Sequence, residues 1–268
     1  MKKQHILVLL ITMAISGHTQ PLQVSNAWEE SLGKSSLSGI NFWNTKSNPS
    51  SSVFIDNSAL GIDIGNKYII EDLNTALLLL NLRLKKEHSL VFSYTLFGNK
   101  NFNENQLSIS YSILLSAKFS SAITLINNLT SIKSEEYKDF NYNPGFKISI
   151  FYKLNTSSSF SSFYENTYIY GNQNYNLSLA FCYHINKNTS LYAQTSISNY
   201  YLNTSSLGFS YNLNEKFGFN FGIKNNDIST HFGVEFHIQS IRINCSFSYH
   251  QYLRINSNIS LMNKFSSP

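Results

Sequence analysis

Six polar residues whose types could support chemistry lie close together near the end of the chain. A two-residue turn at Gln239 and Ser240 would pair the segments on either side of it as a β-hairpin. The residue pairs that this register places opposite one another are His237 with Arg242, Glu235 with Asn244, and His231 with Ser248. Glu235 is then diagonal to Arg242 and within reach of its long side chain.

This cluster has two interpretations. In one, it is a catalytic or substrate-orienting group of Ser, His and acid; in the other, it is a ladder of polar side chains that satisfy one another. His231 and His237 are roughly 20 Å apart along an extended strand, so they cannot share a metal ion or a substrate atom. Catalysis needs nucleophile, base and orienting group within hydrogen-bond reach, and nothing in the spacing shows that. We therefore favour the structural interpretation and predict no enzyme activity, no catalytic residue and no cofactor.

The elements that position these residues are predicted from strict alternation of apolar and polar residues, which is typical of strands with two unlike faces. Leu107 to Leu115 and Tyr175 to Ile185 show it clearly. The pattern predicts fourteen strands, at residues 58–68, 73–84, 88–97, 106–115, 118–128, 144–154, 158–168, 174–185, 190–199, 204–213, 216–224, 228–238, 241–249 and 254–265.

The composition agrees with strands that have one apolar and one polar face. Charged residues make up 13% of the chain, about half their usual share in soluble domains. The mean hydropathy of −0.17 excludes a bundle of transmembrane helices. Tyr and Phe are abundant, with 17 and 20 copies, and so are Ser and Asn, with 42 and 34. These residue types favour a β protein that need not be soluble.

The first twenty residues have the form of a secretory signal peptide. Lys2 and Lys3 are followed by an apolar run at 6–15, too short to span a bilayer, and by a small-x-small cleavage pattern at 14–16. We predict three parts: a signal peptide at 1–20, a plug-like segment at 21–57 and a β-barrel at 58–265.

The connections between the predicted strands alternate in length. Tight turns such as 155–157 and 186–188 alternate with longer connections at 97–105, 129–143 and 165–173, a pattern typical of outer-membrane barrels. We predict an all-β, transmembrane antiparallel β-barrel in the bacterial outer membrane, with both termini periplasmic. A secreted soluble β-sandwich is the alternative; it is disfavoured because Phe and Tyr would occupy its solvent face.

The two cysteines fit this topology. Cys182 is predicted to face the lumen and Cys245 the lipid, five strands apart, so they are too distant for a disulfide and should be free thiols. Clustered Cys and His residues, which zinc would need, are lacking in the sequence.

Two kinds of partner are implied and one is excluded. The last strand alternates to Phe265, similar to the C-terminal signal that the barrel-assembly machinery recognises, and the apolar face implies contact with outer-membrane lipid. The sequence pI is 9.0, but the basic residues are spread over turns without a stripe, so nucleic acid is not expected.

One segment resembles a known family. Ser52-Val53-Phe54-Ile55-Asp56-Asn57-Ser58-Ala59-Leu60-Gly61 is similar to the S-V-F-x-N-P-A-G-L stretch that opens barrels of the FadL-like superfamily, nearest to the PorV/PorQ type of Bacteroidota. The matching residues are Asn57, Ala59, Leu60 and Gly61, and Ser58 replaces the family's Pro. The resemblance implies a fourteen-stranded barrel whose N-terminal segment folds into the lumen.

The resemblance leaves two functions open. A PorV/PorQ-like protein would be an accessory of type IX secretion that binds secretion components or exported proteins. A FadL-like protein would be a passive channel for small hydrophobic solutes. The resemblance favours the export role, although the predicted lumen is rich in Ser, Asn, Gln, Gly and His, which is poor for a fatty ligand.

Overall fold

The computed structural model describes residues 24–68, 73–133, 138–169, 172–199, 203–225, 228–251 and 254–265. Within these residues, fourteen antiparallel strands each pair with the next, and β1 pairs with β14, so the sheet closes into a barrel. The strands are β1 Ser58–Asn66, β2 Asn74–Lys85, β3 His88–Gly98, β4 Phe102–Ser116, β5 Phe119–Lys133, β6 Lys138–Lys153, β7 Ser158–Ile169, β8 Asn172–His184, β9 Thr189–Ser198, β10 Thr204–Asn212, β11 Phe217–Lys224, β12 Ser229–Ile238, β13 Ile241–His250 and β14 Arg254–Phe265.

The predicted closed barrel of fourteen strands is confirmed, and most strand ends lie close to the predicted positions. The predicted lengths of three connections were wrong. β4, β5 and β6 continue through residues that we assigned to loops, and β8 begins at Asn172, two residues earlier than predicted. The residues left between strands are 99–101 for β3 and β4, 134–137 for β5 and β6, and 170–171 for β7 and β8. Polar Asn and Thr hide the alternation there, yet their backbones still pair. The predicted signal peptide at 1–20 lies outside the described residues.

The two faces of the wall differ as the alternation predicts. Apolar side chains point outward, and Ile64, Leu125 and Ile259 are each about 60% exposed. Lumen positions hold Ser, Thr and Asn, and most of them are buried. Among the described residues, no helix has the length and hydropathy to cross a membrane. Cys182 and Cys245 are both free thiols, as predicted.

Residues 24–57, which we call the plug, fill part of the lumen before the chain enters β1. The plug contains one short helix, α1 (Ala27–Ser31), and two 3₁₀ turns, Phe42–Thr45 and Pro49–Phe54. Asn26 caps α1 through a 3.0 Å hydrogen bond that its side chain accepts from the amide of Glu29. Trp43 is fully buried and packs edge-on against Phe42.

Serines of the wall hold the irregular backbone of the plug. Ser112 of β4, Ser120 of β5 and Ser159 of β7 donate hydrogen bonds of 2.8, 2.6 and 2.8 Å to plug carbonyls. The acceptors are Pro49, Ser50 and Ser38, respectively. A segment with little secondary structure needs such partners for its buried backbone groups. The Ser-rich lumen face is therefore complementary to the plug.

Candidate functional site

The candidate site is a cavity of about 520 Å³ in the lumen. It lies between the plug and the barrel end that carries the β3–β4 connection, because its wall residues, such as Thr130, Thr167 and Ser198, come from those halves of their strands. The plug contributes Lys34, Leu37 and other residues to its floor.

Most side chains that line the cavity are polar. Ser, Thr, Asn and Gln come from β3 through β10, and seven charged residues join them. The aliphatic and Phe side chains in the lining are Val24, Leu37, Phe97, Phe102, Ile126 and Phe163. Such a surface offers many hydrogen-bond donors and acceptors beside these apolar side chains.

Charged groups enter the cavity from both the plug and the wall. The lysines are Lys34 and Lys46 of the plug, Lys147 of β6 and Lys224 of β11; the acids are Glu29, Glu104 and Glu165. Lys147 forms a 2.8 Å ion pair with Glu165, and its ammonium lies 4.8 Å from the ring centre of Phe163. The lining thus holds one more basic than acidic group.

Burial changes the protonation of the plug lysines. It lowers the pKa of Lys34 to about 8, against the opposing effect of Glu30, and nearby Lys224 lowers this pKa further. Burial likewise lowers the pKa of Lys46 to about 8, against the effect of Glu29, with Lys147 acting in the same direction as burial. The lysines on the plug and on the wall therefore repel one another across the cavity.

A second polar cluster fixes α1 to the wall. The carboxylate of Glu30 lies 3.7 Å from the ammonium of Lys67 and 3.6 Å from Nδ1 of His231, and it accepts hydrogen bonds from Ser25 and, at 3.1 Å, from Ser248. Burial alone would raise the pKa of Glu30, but Lys67, Lys34 and its other partners hold it well below the usual range.

Glu29, the preceding residue, is in the opposite situation. It is also buried, yet its Oε1 lacks a hydrogen-bond partner among the described residues. Burial raises the pKa of this carboxyl group, and the effects of Ser47 and Lys46 do not cancel the increase. One neighbouring carboxyl thus fastens the plug, and the other lines the cavity with an unpaired oxygen.

The hairpin register predicted for the polar cluster is the observed one, with Gln239 and Ser240 between the two strands. The structure nevertheless divides the six residues into two groups. Glu235 lies 2.5 Å from His237 and 3.9 Å from Arg242 near the Gln239–Ser240 turn. His231 and Ser248 instead meet Glu30 of the plug, while the buried amide of Asn244 has no described hydrogen-bond partner.

The contacts of His231 do not form a catalytic group. The hydroxyl of Ser229 lies 2.9 Å from Nε2 of His231, a distance that suits a nucleophile and its base. Nδ1 of His231, however, lies 3.6 Å from the carboxylate of Glu30, which is too far for a hydrogen bond. Ser229 is buried and is not part of the cavity lining. The arrangement serves to hold the plug.

The residues matched by the family resemblance lie where the plug joins the barrel. Ala59 and Gly61 face the lumen, Leu60 faces outward and Asn57 is exposed. A Cβ on Gly61 would lie 2.6 Å from ring atoms of both Phe42 and Trp43. The glycine is thus needed for the plug's aromatic rings to reach the wall.

Sequence reasoning missed the lysines that line the cavity and the anchor of Glu30. These residues belong to five separate elements or turns, and no local spacing connects them. The available signal was that lysines at predicted lumen positions, Lys147 above all, interrupt a face of small polar residues.

The fold and the cavity together define a closed β-barrel of outer-membrane type with an internal plug. No protein-family model and no curated protein matches the chain. Solved structures share the fold. A Pseudomonas aeruginosa FadL homologue is 12% identical, with a TM-score of 0.67 over 91% of this chain and 99% of that one. The Ralstonia pickettii toluene transporter TbuX is 9% identical, with a TM-score of 0.69 over 90% of this chain and 98% of that one. The Pseudomonas putida toluene transporter TodX is 13% identical, with a TM-score of 0.67 over 92% of this chain and 100% of that one.

Proposed function

We propose that this protein is a passive channel of the bacterial outer membrane that admits small solutes through its lumen under control of the plug. The observation that carries the proposal is the cavity of about 520 Å³ inside a closed barrel, which ends at the plug. A cavity of this size lies in the usual range of small-molecule sites.

The outer face of the barrel supports a membrane location. Large apolar side chains cover it, from Ile62 and Ile64 in β1 to Ile259 and Leu261 in β14. A closed barrel satisfies all backbone groups between its strands, which the hydrocarbon region requires. The fold shared with outer-membrane transporters supports the same location.

The lumen favours a hydrophilic solute over a hydrophobic one. An apolar groove of about 350 Å³ lies on the wall around Phe232 and Phe247. The groove and the lumen cavity share no lining residue, and the β12–β13 pairing at the groove is unbroken from Thr230–Tyr249 to Ile238–Ile241. A fatty solute in the lumen cavity would have to desolvate the polar and charged groups of its lining, which is costly.

The export role remains a prediction. It is supported by the resemblance of residues 52–61, and none of the solved structures named above adds to it. The β3–β4 connection, residues 99–101, is short and offers little surface on which to bind an exported protein. Its test is the surface proteome of a deletion strain, which the export role expects to be depleted and the channel role expects to be unchanged.

The channel is tested by swelling of liposomes that contain the full mature protein, with arabinose as the small neutral solute. We expect swelling faster than in protein-free liposomes. Correct folding is checked first by gel mobility, because a closed barrel migrates differently before and after boiling. Folded protein that admits no arabinose, either as wild type or after loosening of the plug, would overturn the proposal.

A further inference from the structure

We propose that the lumen cavity binds a neutral sugar at one row of polar side chains on its wall. This inference rests on the proposed channel function and deepens it by naming the class of solute. It concerns binding, so it can be measured whether or not the solute passes the plug.

The row consists of four side chains that lie directly opposite one another on four adjacent strands. Lys147 of β6 is paired with Glu165 of β7. Asn176 of β8 lies between Glu165 and Ser198 of β9. All four line the cavity, and we call them the polar row. Opposite residues on neighbouring strands have Cβ atoms about 4.5–5.5 Å apart, so two hydroxyl groups of one sugar ring can reach neighbouring members of the row.

The charges within the polar row cancel. The ammonium of Lys147 lies 2.8 Å from Oε2 of Glu165, and both side chains are mostly buried. At this place an anion would be repelled by the carboxylate and a cation by the ammonium, with little water to screen either. A neutral hydroxyl group can instead donate to Glu165 and accept from Lys147, and hydrogen bonds to charged groups are the stronger kind. The ion pair therefore favours a neutral, hydroxylated solute.

Asn176, next to the ion pair, supplies an acceptor without a partner. Its Oδ1 has no hydrogen bond among the described residues, and the residue is 6% exposed. A buried acceptor is costly until a donor reaches it. The last torsion of an Asn side chain is broad, so the amide can turn its oxygen toward the cavity that it lines. A sugar hydroxyl beside Glu165 can then donate to this oxygen, which a hydrocarbon cannot do.

Apolar side chains lie beside the polar row. Phe163 precedes Glu165 by two residues on the same face of β7, and it belongs to one buried apolar cluster with Leu37 of the plug. Both line the cavity. A sugar ring carries C–H groups between its hydroxyl groups, so it can contact this apolar surface while it binds the row. A purely apolar solute would desolvate the row without replacing its hydrogen bonds.

The experiment measures binding of neutral hexoses and of their charged analogues to the full mature protein. Saturation-transfer NMR titrations are run in lauryldimethylamine oxide, a detergent without a sugar headgroup. The hexoses are glucose, galactose and mannose, and each is compared with its uronate and with its 2-amino sugar. We expect at least one hexose to bind, about tenfold more tightly than either of its charged analogues. Binding of none of the hexoses, or equal or tighter binding of the analogues, would overturn the proposal.

One variant and its matched control locate the site. Asn176→Leu keeps the approximate size of the side chain and removes its hydrogen bonds, so hexose binding should weaken by about tenfold. Asn244→Leu is the control, because Asn244 is also a buried Asn of the wall whose amide has no described partner, but it does not line the cavity. It should bind as the wild type does. No weakening in Asn176→Leu, or equal weakening in both, would overturn the proposed site.

The ion pair is tested by a second variant, which also serves if Asn176→Leu does not fold. Lys147→Gln with Glu165→Gln removes both charges together and so leaves no uncompensated buried charge. Hexose binding should weaken by about tenfold, and the preference for the hexose over its charged analogues should decrease. An unchanged affinity and preference in the folded variant would overturn the assignment of the row.

Failure of this inference and failure of the channel give different results. Arabinose swelling without hexose binding would leave the channel standing and remove the sugar site. Hexose binding without any swelling would keep the site and remove the channel.

Discussion

The carboxylate of Glu30 in the plug lies 3.7 Å from the ammonium of Lys67, one residue beyond β1, and both side chains are at least 95% buried. Glu30 belongs to the plug and Lys67 follows a strand of the wall, so the ion pair forms only when the plug lies inside the barrel. Removing one partner of a buried pair leaves an uncompensated charge, which makes the plug's position in the lumen depend on this contact.

We first predict that Glu30→Gln loosens the plug and that Glu29→Gln does not. Glu30 has several partners and a lowered pKa. Its contribution to the free energy of unfolding is therefore fully present above its unfolded pKa of 4.5 and is lost as the pH decreases through the lower folded pKa. At pH 7, losing it should cost about 3 kcal/mol. Glu29 has a raised pKa, so neutralising it removes a burial penalty.

The measurement is trypsin cleavage after Lys34 and Lys46 in the folded barrel, followed by mass spectrometry. Cleavage should become faster in Glu30→Gln and stay slow in Glu29→Gln. Equal rates in the two variants would contradict an anchoring role for Glu30.

Our second prediction concerns a close contact between the wall and the plug. A Cβ on Gly222 of β11 would lie 2.2 Å from the backbone of Leu32 and 2.3 Å from that of Gly33. Gly222→Ala should therefore displace the plug and raise arabinose permeation severalfold in liposome swelling. Gly218→Ala is the matched control, because its Cβ meets the flexible end of Asn212 and no plug atom. Unchanged permeation in a folded Gly222→Ala barrel would show that the plug does not limit passage.

The third prediction concerns the orientation of the barrel. The start of β1 and the end of β14 lie at the same barrel end as the β8–β9 turn with Lys187, and Lys100 lies at the opposite end, between β3 and β4. We predict both termini to be periplasmic. We expect a thiol reagent to label Lys100→Cys on intact cells and Lys187→Cys after the outer membrane is permeabilised. The parent protein, which carries its two native thiols, gives the background. Labelling of Lys187→Cys alone on intact cells would invert the barrel.

The repeated strand pattern made most of the fold predictable, and the exceptions have a local cause. In β5 the consecutive residues Asn127 and Asn128 point to opposite faces of the wall, yet both are polar, so the alternation of apolar and polar residues is lost there. The extent of β4 to β6 therefore depends on backbone pairing with the neighbouring strands, which side-chain pattern does not encode. The tight Gln239–Ser240 turn, by contrast, fixed the hairpin register from local sequence alone.

The sequence by itself determined the number of strands, their inward and outward faces and the free state of Cys182 and Cys245, because each follows from a two-residue period along a continuous segment. Only the tertiary structure decided which residues form the cavity and which hold the plug. Glu30, Lys67 and His231 are far apart in the chain, and so are Lys34 and Lys224. Closure of the barrel around the plug brings these charges together. Because an unpaired buried charge is costly, each of them needs a partner, and the folded barrel supplies it from a distant part of the chain.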